Sequence, residues 1–314
     1  MPSVAVRCND PALRLKLQRW VADQQLDPPR SLTLDVWKGE PPSVVDRRLP
    51  FRQPELTIRG GPPEGGVRLW WGRAPALAEI PEGSRTAGVA LSDQAAERFD
   101  ECAGTFLPVV LLFLLRRSGW HHVHAASAVD QSGTGWLLAG NARAGKSTTA
   151  ALLAGAGWRV GGDDAAFLAR RGDRIVAHVP RSPIALRSDA VRMLADQLPG
   201  VPGGGGGGGG GGGLAMGDFW PEELGGTWTP CVDPGVVLFT NTRRGSRLTY
   251  ATPLTAREAT AELVRWSAWV MLEPELAQEH LDLMAQLAQQ ARCFRVALGR
   301  DLVHEPGRLA QVVR

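Results

Sequence analysis

The stretch GNARAGKSTTA, residues 140–150, decides how the rest of the chain is read. It holds a glycine, four variable residues, then glycine, lysine and serine, the spacing of a loop whose backbone N–H groups cradle phosphates. Its flanks carry as much weight. WLLA (136–139) reads as a buried strand, and KSTTAALLAGAG (146–157) as a helix stopped by Gly155 and Gly157. Chance matches to eight residues are common in long sequences, whereas a match set between a strand and a helix is much rarer. A chain that bends sharply from strand into helix needs the freedom of Gly140 and Gly145. Its amides and helix N-terminus then face inward, where negative charge is favoured. Lys146 adds a mobile positive charge for β and γ phosphates, and the Ser147 hydroxyl can ligate Mg²⁺. Arg143, inside the loop, is expected to point into solvent.

Around the loop the pattern is of alternating strands and helices. HHVHAASAV (121–129) reads as a strand, DQSGTG as a turn, and WRVGGDD (158–164) as a further strand ending in two aspartates. AFLARRGDRIVAHV reads as a hairpin turning at Gly172 and Asp173. Asp163 follows Lys146 by seventeen residues. Successive strand residues point to opposite sides, so Asp163 and Asp164 cannot share one task. One can hold a metal beside Ser147, directly or through water, and the other can accept a proton from an attacking hydroxyl. GGDD is also good turn chemistry, and only the phosphate loop upstream favours the metal-and-base reading. His121, His122 and His124 do not make a zinc site, because no cysteine or carboxylate lies at metal spacing. His121 and His122 are expected at surface or boundary positions, and His124 is a candidate to orient an aspartate.

The remaining segments set the organisation. In LRLKLQRWVADQQ, Leu13, Leu17, Trp20 and Val21 share a helical face, and LTIRGGPPEGGVRLWWG reads as two strands joined by a Gly/Pro turn. One helical pattern runs from Ser92 to Leu115, with Gly119 as a stop. Within it FLPVVLLFLL (106–115) is about half the length of a membrane span. Eleven consecutive glycines, 203–213, predict a flexible tether of roughly 18 Å root-mean-square span. Thr255 and Glu258 form a capping box ahead of a helix, and Leu276, His280, Leu283, Met284 and Leu287 mark another. The expected division is an N-terminal accessory or recognition domain, 1–120, and a loop-bearing domain, 121–314.

Composition narrows the classes further. Of 314 residues, 44% are hydrophobic and 21% charged, as in a globular protein with a sizeable core. A net charge of +3, scattered rather than clustered, argues against nucleic acid or an anionic membrane as partner. No apolar signal segment opens the chain, and the four cysteines, far apart, read as reduced thiols of a cytoplasmic protein.

The order of residues from HHVHAASAV through the phosphate loop and DD to HVPRSPIALR resembles the HPr serine kinase/phosphorylase family, in its kinase-like branch. The resemblance is specific over about residues 121–190 and looser through VVLFTNTRRG and PLTAREATAEL. It implies an α/β (α+β) nucleotide-binding fold of the phosphoenolpyruvate-carboxykinase type — a P-loop (Walker A) domain — with a smaller N-terminal α+β domain. It implies that Gly140, Asn141, Ala142, Arg143, Ala144, Gly145, Lys146, Ser147 and Thr148 hold the triphosphate of ATP. Asp163 would be the general base, Asp164 with Ser147 the Mg²⁺ site, and His124 the histidine near the aspartates. The implied activity is transfer of the γ-phosphate to a hydroxyl, serine above all, of a protein or peptide such as a precursor peptide, by a homo-oligomer. Two departures stand out. Bacterial HPr enzymes have glycine where this loop has Arg143, and their downstream Glu-x-Arg-Gly-x-Gly signature is missing here. HPr as acceptor and the reverse, phosphate-removing reaction are therefore disfavoured. The alternatives are a nucleotide-binding scaffold or regulatory ATPase without an acceptor, and a small-molecule kinase.

Overall fold

A computed structural model describes residues 3–41, 51–52, 56–60, 65–198, 201, 217–242, 246–267 and 272–313. The polyglycine run lies outside them. The architecture is mixed α/β with several sheets, in two compact units: Met1–His122 with Trp269–His280, and Val123–Ala268 with Leu281–Arg314.

The first unit is built on a seven-stranded sheet. Its order is Val4–Cys8, Leu32–Lys38, Thr86–Leu91, Ala76–Ile80, Val67–Trp71, Leu56–Gly60, Phe51–Arg52, with only the first three strands parallel. Alternation sets its faces: Leu32, Leu34 and Val36 are buried while Asp35 and Trp37 are exposed. The helix expected as one piece from Ser92 to Leu115 is instead three, Asp93–Glu97, Phe99–Thr105 and Leu107–Arg116. Pro108 explains the last restart: lacking an N–H, it is tolerated only in a first helical turn.

A buried polar cluster in this unit corrects the expectation for two histidines. His121 is fully buried and His122 nearly so. The Glu273 carboxylate lies 3.1 Å from Arg116 Nη1 and 2.5 Å from Arg117 Nη2, all three residues buried. The rings of His121 and His280 stand 5.0 Å apart beside them. Local sequence gave no hint of this, because the partners lie more than 150 positions apart. Burial, and then the Arg116 charge, pushes His121 down to about 3, and burial with the neighbouring imidazoles and Arg116 takes His280 to about 2. Both folded values lie below the ordinary 6.5, so the unfolded chain gains protons first on acidification. Stability is therefore complete above about pH 6.5 and is lost as the pH falls from there toward about 3. The unfolding midpoint in denaturant is expected to drop between pH 7 and pH 5, and His280→Leu to flatten that slope.

The second unit holds another seven-stranded sheet, ordered Thr227–Trp228, Arg159–Gly162, Ala125–Val129, Gly135–Ala139, Pro234–Thr242, Arg292–Leu298, Tyr250–Pro253. Gly135–Ala139 is parallel to Pro234–Thr242 and antiparallel to Ala125–Val129. Every residue of Gly135–Ala139 is buried because both sheet faces are covered. Trp136 and Leu138 pack with Ala150, Leu153 and Leu309 on one face, and Leu137 and Ala139 with Leu263, Met284 and Leu287 on the other. The hairpin Ala166–Arg171/Arg174–His178 turns at Gly172, and the Thr255–Glu258 capping box is formed. Among the described residues no helix is long and apolar enough to cross a membrane.

Candidate functional site

The site grows from the end of strand Gly135–Ala139. At Gly140 a Cβ would lie 2.7 Å from both the carbonyl oxygen and Oγ1 of Thr240, so the loop leaves the sheet where only glycine fits. Ala144 N donates to Asn141 O at 3.1 Å, closing a turn. Gly145, at φ +89, takes the left-handed conformation at the N-cap of the helix Lys146–Gly155. Arg143 also has positive φ, +66, and its side chain is exposed. That conformation is uncommon for a side chain of its size, and it marks the loop as constrained by its surroundings.

Lys146 is 6% exposed. Its ammonium donates to Gly140 O at 3.0 Å, Asn141 O at 3.1 Å and His124 Nε2 at 2.8 Å, which employs all three protons. Burial lowers its pKa, and Asp164 and Asp163 pull it back up. An ammonium only donates, so His124 Nε2 is an acceptor and the neutral ring carries its proton on Nδ1. That N–H faces Asp164, with the backbone oxygen and Oδ1 each at 3.0 Å. The result is a continuous chain of contacts from Lys146 through His124 to Asp164.

His124 owes its reach to a break in the backbone. The strand expected across 121–129 stops at Val123 and resumes at Ala125. His124 is the joint, its N–H donating to Trp266 O at 3.1 Å.

The two aspartates follow strand Arg159–Gly162 and differ sharply. Asp163 is 5% exposed, accepts Ala185 N at 3.1 Å through Oδ2, and hydrogen-bonds the Ser147 side chain. Burial lifts its pKa to about 6 against those hydrogen bonds. The Asp164 side chain is 79% exposed. The structure thus brings Lys146, Ser147, His124, Asp163 and Asp164 together at one end of the glycine loop. Thr148 follows in the first helical turn, half-buried, and Asn141 and Ala142 are exposed on the loop.

Among the described residues no group of three His, Cys, Asp or Glu side chains could hold a metal by itself. A Mg²⁺ shared with phosphate oxygens and water needs fewer, one or two protein oxygens. Ser147 and Asp163, in contact, are such a pair, and the loop's amides and Lys146 suit a polyphosphate. Beside the loop lies a cavity of about 280 Å³, walled by Asn141–Ala144, Phe239 and Trp266 among others. Sequence reasoning missed this feature, because its walls come from segments far apart in the chain.

No protein-family model matches this chain, and no curated protein matches it. Among solved structures it is similar to the HPr(Ser) kinase/phosphatase from Coxiella burnetii, at 13% sequence identity and a TM-score of 0.32. The match covers 62% of this chain and 88% of that one. A likeness so shallow carries no weight for function.

Proposed function

We propose that the protein is a phosphotransferase of the P-loop kind, moving the γ-phosphate of ATP to a hydroxyl of a protein or peptide, serine foremost. The observation that carries this reading is the pairing of Ser147 with buried Asp163 at the end of the same loop that presents Lys146, with exposed Asp164 tied to that lysine through His124. When bound, Mg–ATP supplies an electrophilic γ-phosphorus and a leaving group whose charge the metal partly neutralises.

The chain's own groups divide the work. Ser147 and Asp163 are the residues that would hold Mg²⁺, where a cation would draw the Asp163 carboxyl back down from about 6. Asp164 is exposed where an acceptor can approach, and it suits the general base that takes the hydroxyl proton. This reverses the roles expected from the sequence, and burial is the reason: the carboxylate that touches Ser147 is Asp163. His124 orients Asp164 through Nδ1–H and, through Nε2, fixes the Lys146 ammonium. Lys146 and the loop amides offset negative charge on the phosphates.

Purified protein given Mg²⁺, γ-labelled ATP and a panel of serine-containing peptides is expected to leave acid-stable label on serine. Release of phosphate with no labelled acceptor would instead support a regulatory ATPase. Asp164→Asn is expected to lower the transfer rate about 10²–10⁴-fold. Asp163→Asn is expected to raise the Mg²⁺ needed for half-maximal rate by about tenfold or more. Equal Mg²⁺ dependence in the two variants would overturn the division of roles.

A further inference from the structure

The cavity beside the loop is not used by any step above. It shares Asn141–Ala144 with the loop and is otherwise closed by the end of strand Pro234–Thr242, the C-terminal turn of helix Ala256–Arg265, and Arg295. Sheet order gives it a direction. Strands Ala125–Val129 and Arg159–Gly162, which lead to His124 and the aspartates, lie to one side of Gly135–Ala139, and Pro234–Thr242 lies to the other. A polyphosphate laid along the loop with one end at the carboxylates therefore has its other end toward the cavity.

The lining has the chemistry of a base site. Trp266 lines the cavity, and its buried indole N–H has no hydrogen-bond partner among the described residues. Phe239, almost wholly buried, is a second aromatic residue of the lining. The Glu262 side chain is 12% exposed and accepts from Arg295 Nη2 at 2.9 Å and Arg265 Nη1 at 3.4 Å. This puts a largely buried acceptor and two exposed guanidiniums, together with Asn241, around the same cavity as Trp266. The rest of the lining is largely polar, with Thr240 and the arginines Arg143, Arg265 and Arg295 around the two aromatic residues. A volume of about 280 Å³ is just below the usual range of small-ligand pockets, enough for a base with part of its sugar and too small for a length of peptide.

We propose that this cavity takes the nucleoside end of the nucleotide, with the base against the Trp266 ring; this rests on the phosphotransferase reading above. The test compares binding of Mg–ATP with binding of Mg–tripolyphosphate, which has the phosphates but no nucleoside, by titration calorimetry. Wild type is expected to bind ATP at least tenfold tighter than tripolyphosphate. Trp266→Ala is expected to weaken ATP about tenfold or more, the usual effect of removing a stacking ring, and to leave tripolyphosphate unchanged. The His124 N–H to Trp266 O contact is backbone to backbone, so this variant retains it. Asn241→Leu, at an exposed strand end, narrows the mouth without touching the core and is expected to act in the same direction. Equal wild-type affinity for the two ligands, or variants that weaken both alike, would overturn the assignment while leaving the loop's role intact. Failure of wild type to bind either ligand would overturn the phosphotransferase reading itself.

Discussion

Lys146→Ala is expected to lower phosphoryl transfer about 10²–10³-fold, the loss seen when a single charge-stabilising donor is removed from a transition state. The residue is buried, and its ammonium is held between two loop carbonyls and His124, which fixes it at the loop. Lys146→Arg is not expected to rescue. A planar guanidinium has a different shape and donor arrangement from an ammonium that fills three converging acceptors. The check is the initial rate of label transfer, read beside a thermal melt. The melt is expected to fall modestly, because Gly140 O, Asn141 O and His124 Nε2 lose their shared donor, while the rate falls far more. A variant that transfers within threefold of wild type would remove Lys146 from the reaction.

The second large effect concerns stability. Glu273→Ala is expected to cost about 3–5 kcal/mol, because it leaves two buried guanidiniums without the carboxylate they share. Glu273→Gln keeps the shape and is expected to recover little of that loss. Replacing Arg116, Arg117 and Glu273 together by Met, Met and Leu is expected to restore most of it, since buried ion pairs rarely outperform well-packed apolar groups. Denaturant unfolding monitored by fluorescence would separate these variants. A Glu273→Ala protein within about 1 kcal/mol of wild type would mean that water already solvates the cluster.

The contrast between these two sites shows what a sequence can disclose. The glycine loop, Lys146 and the aspartate pair could be named from local spacing, because a bend from strand into helix needs its glycines and its cation within eight consecutive residues. The same holds for the Thr255–Glu258 cap and the Gly172 turn, whose determinants sit three or four residues apart. Roles at adjacent positions were beyond that reach. Asp163 and Asp164 are identical in type, and only Ala185 N, Ser147 and the packing around them make one buried and the other open. The sequence pattern makes His124 one residue of a continuous strand, whereas the joint that interrupts it is held by Trp266 O. The cavity and the buried cluster were invisible for the same reason: Phe239, Glu262 and Arg295, like Arg116 and Glu273, meet only once the chain has folded.

The first unit is stitched from two separate parts of the chain, Met1–His122 and Trp269–His280. During synthesis, its N-terminal portion leaves the ribosome on the order of ten seconds before Glu273 and His280 do. Until they arrive, Arg116, Arg117 and His121 have no place in a dry interior, so this unit cannot complete its packing in the order in which it is made. A ribosome-bound fragment ending before residue 269 should therefore be cut readily by protease in the segment 93–122, and a full-length chain should not.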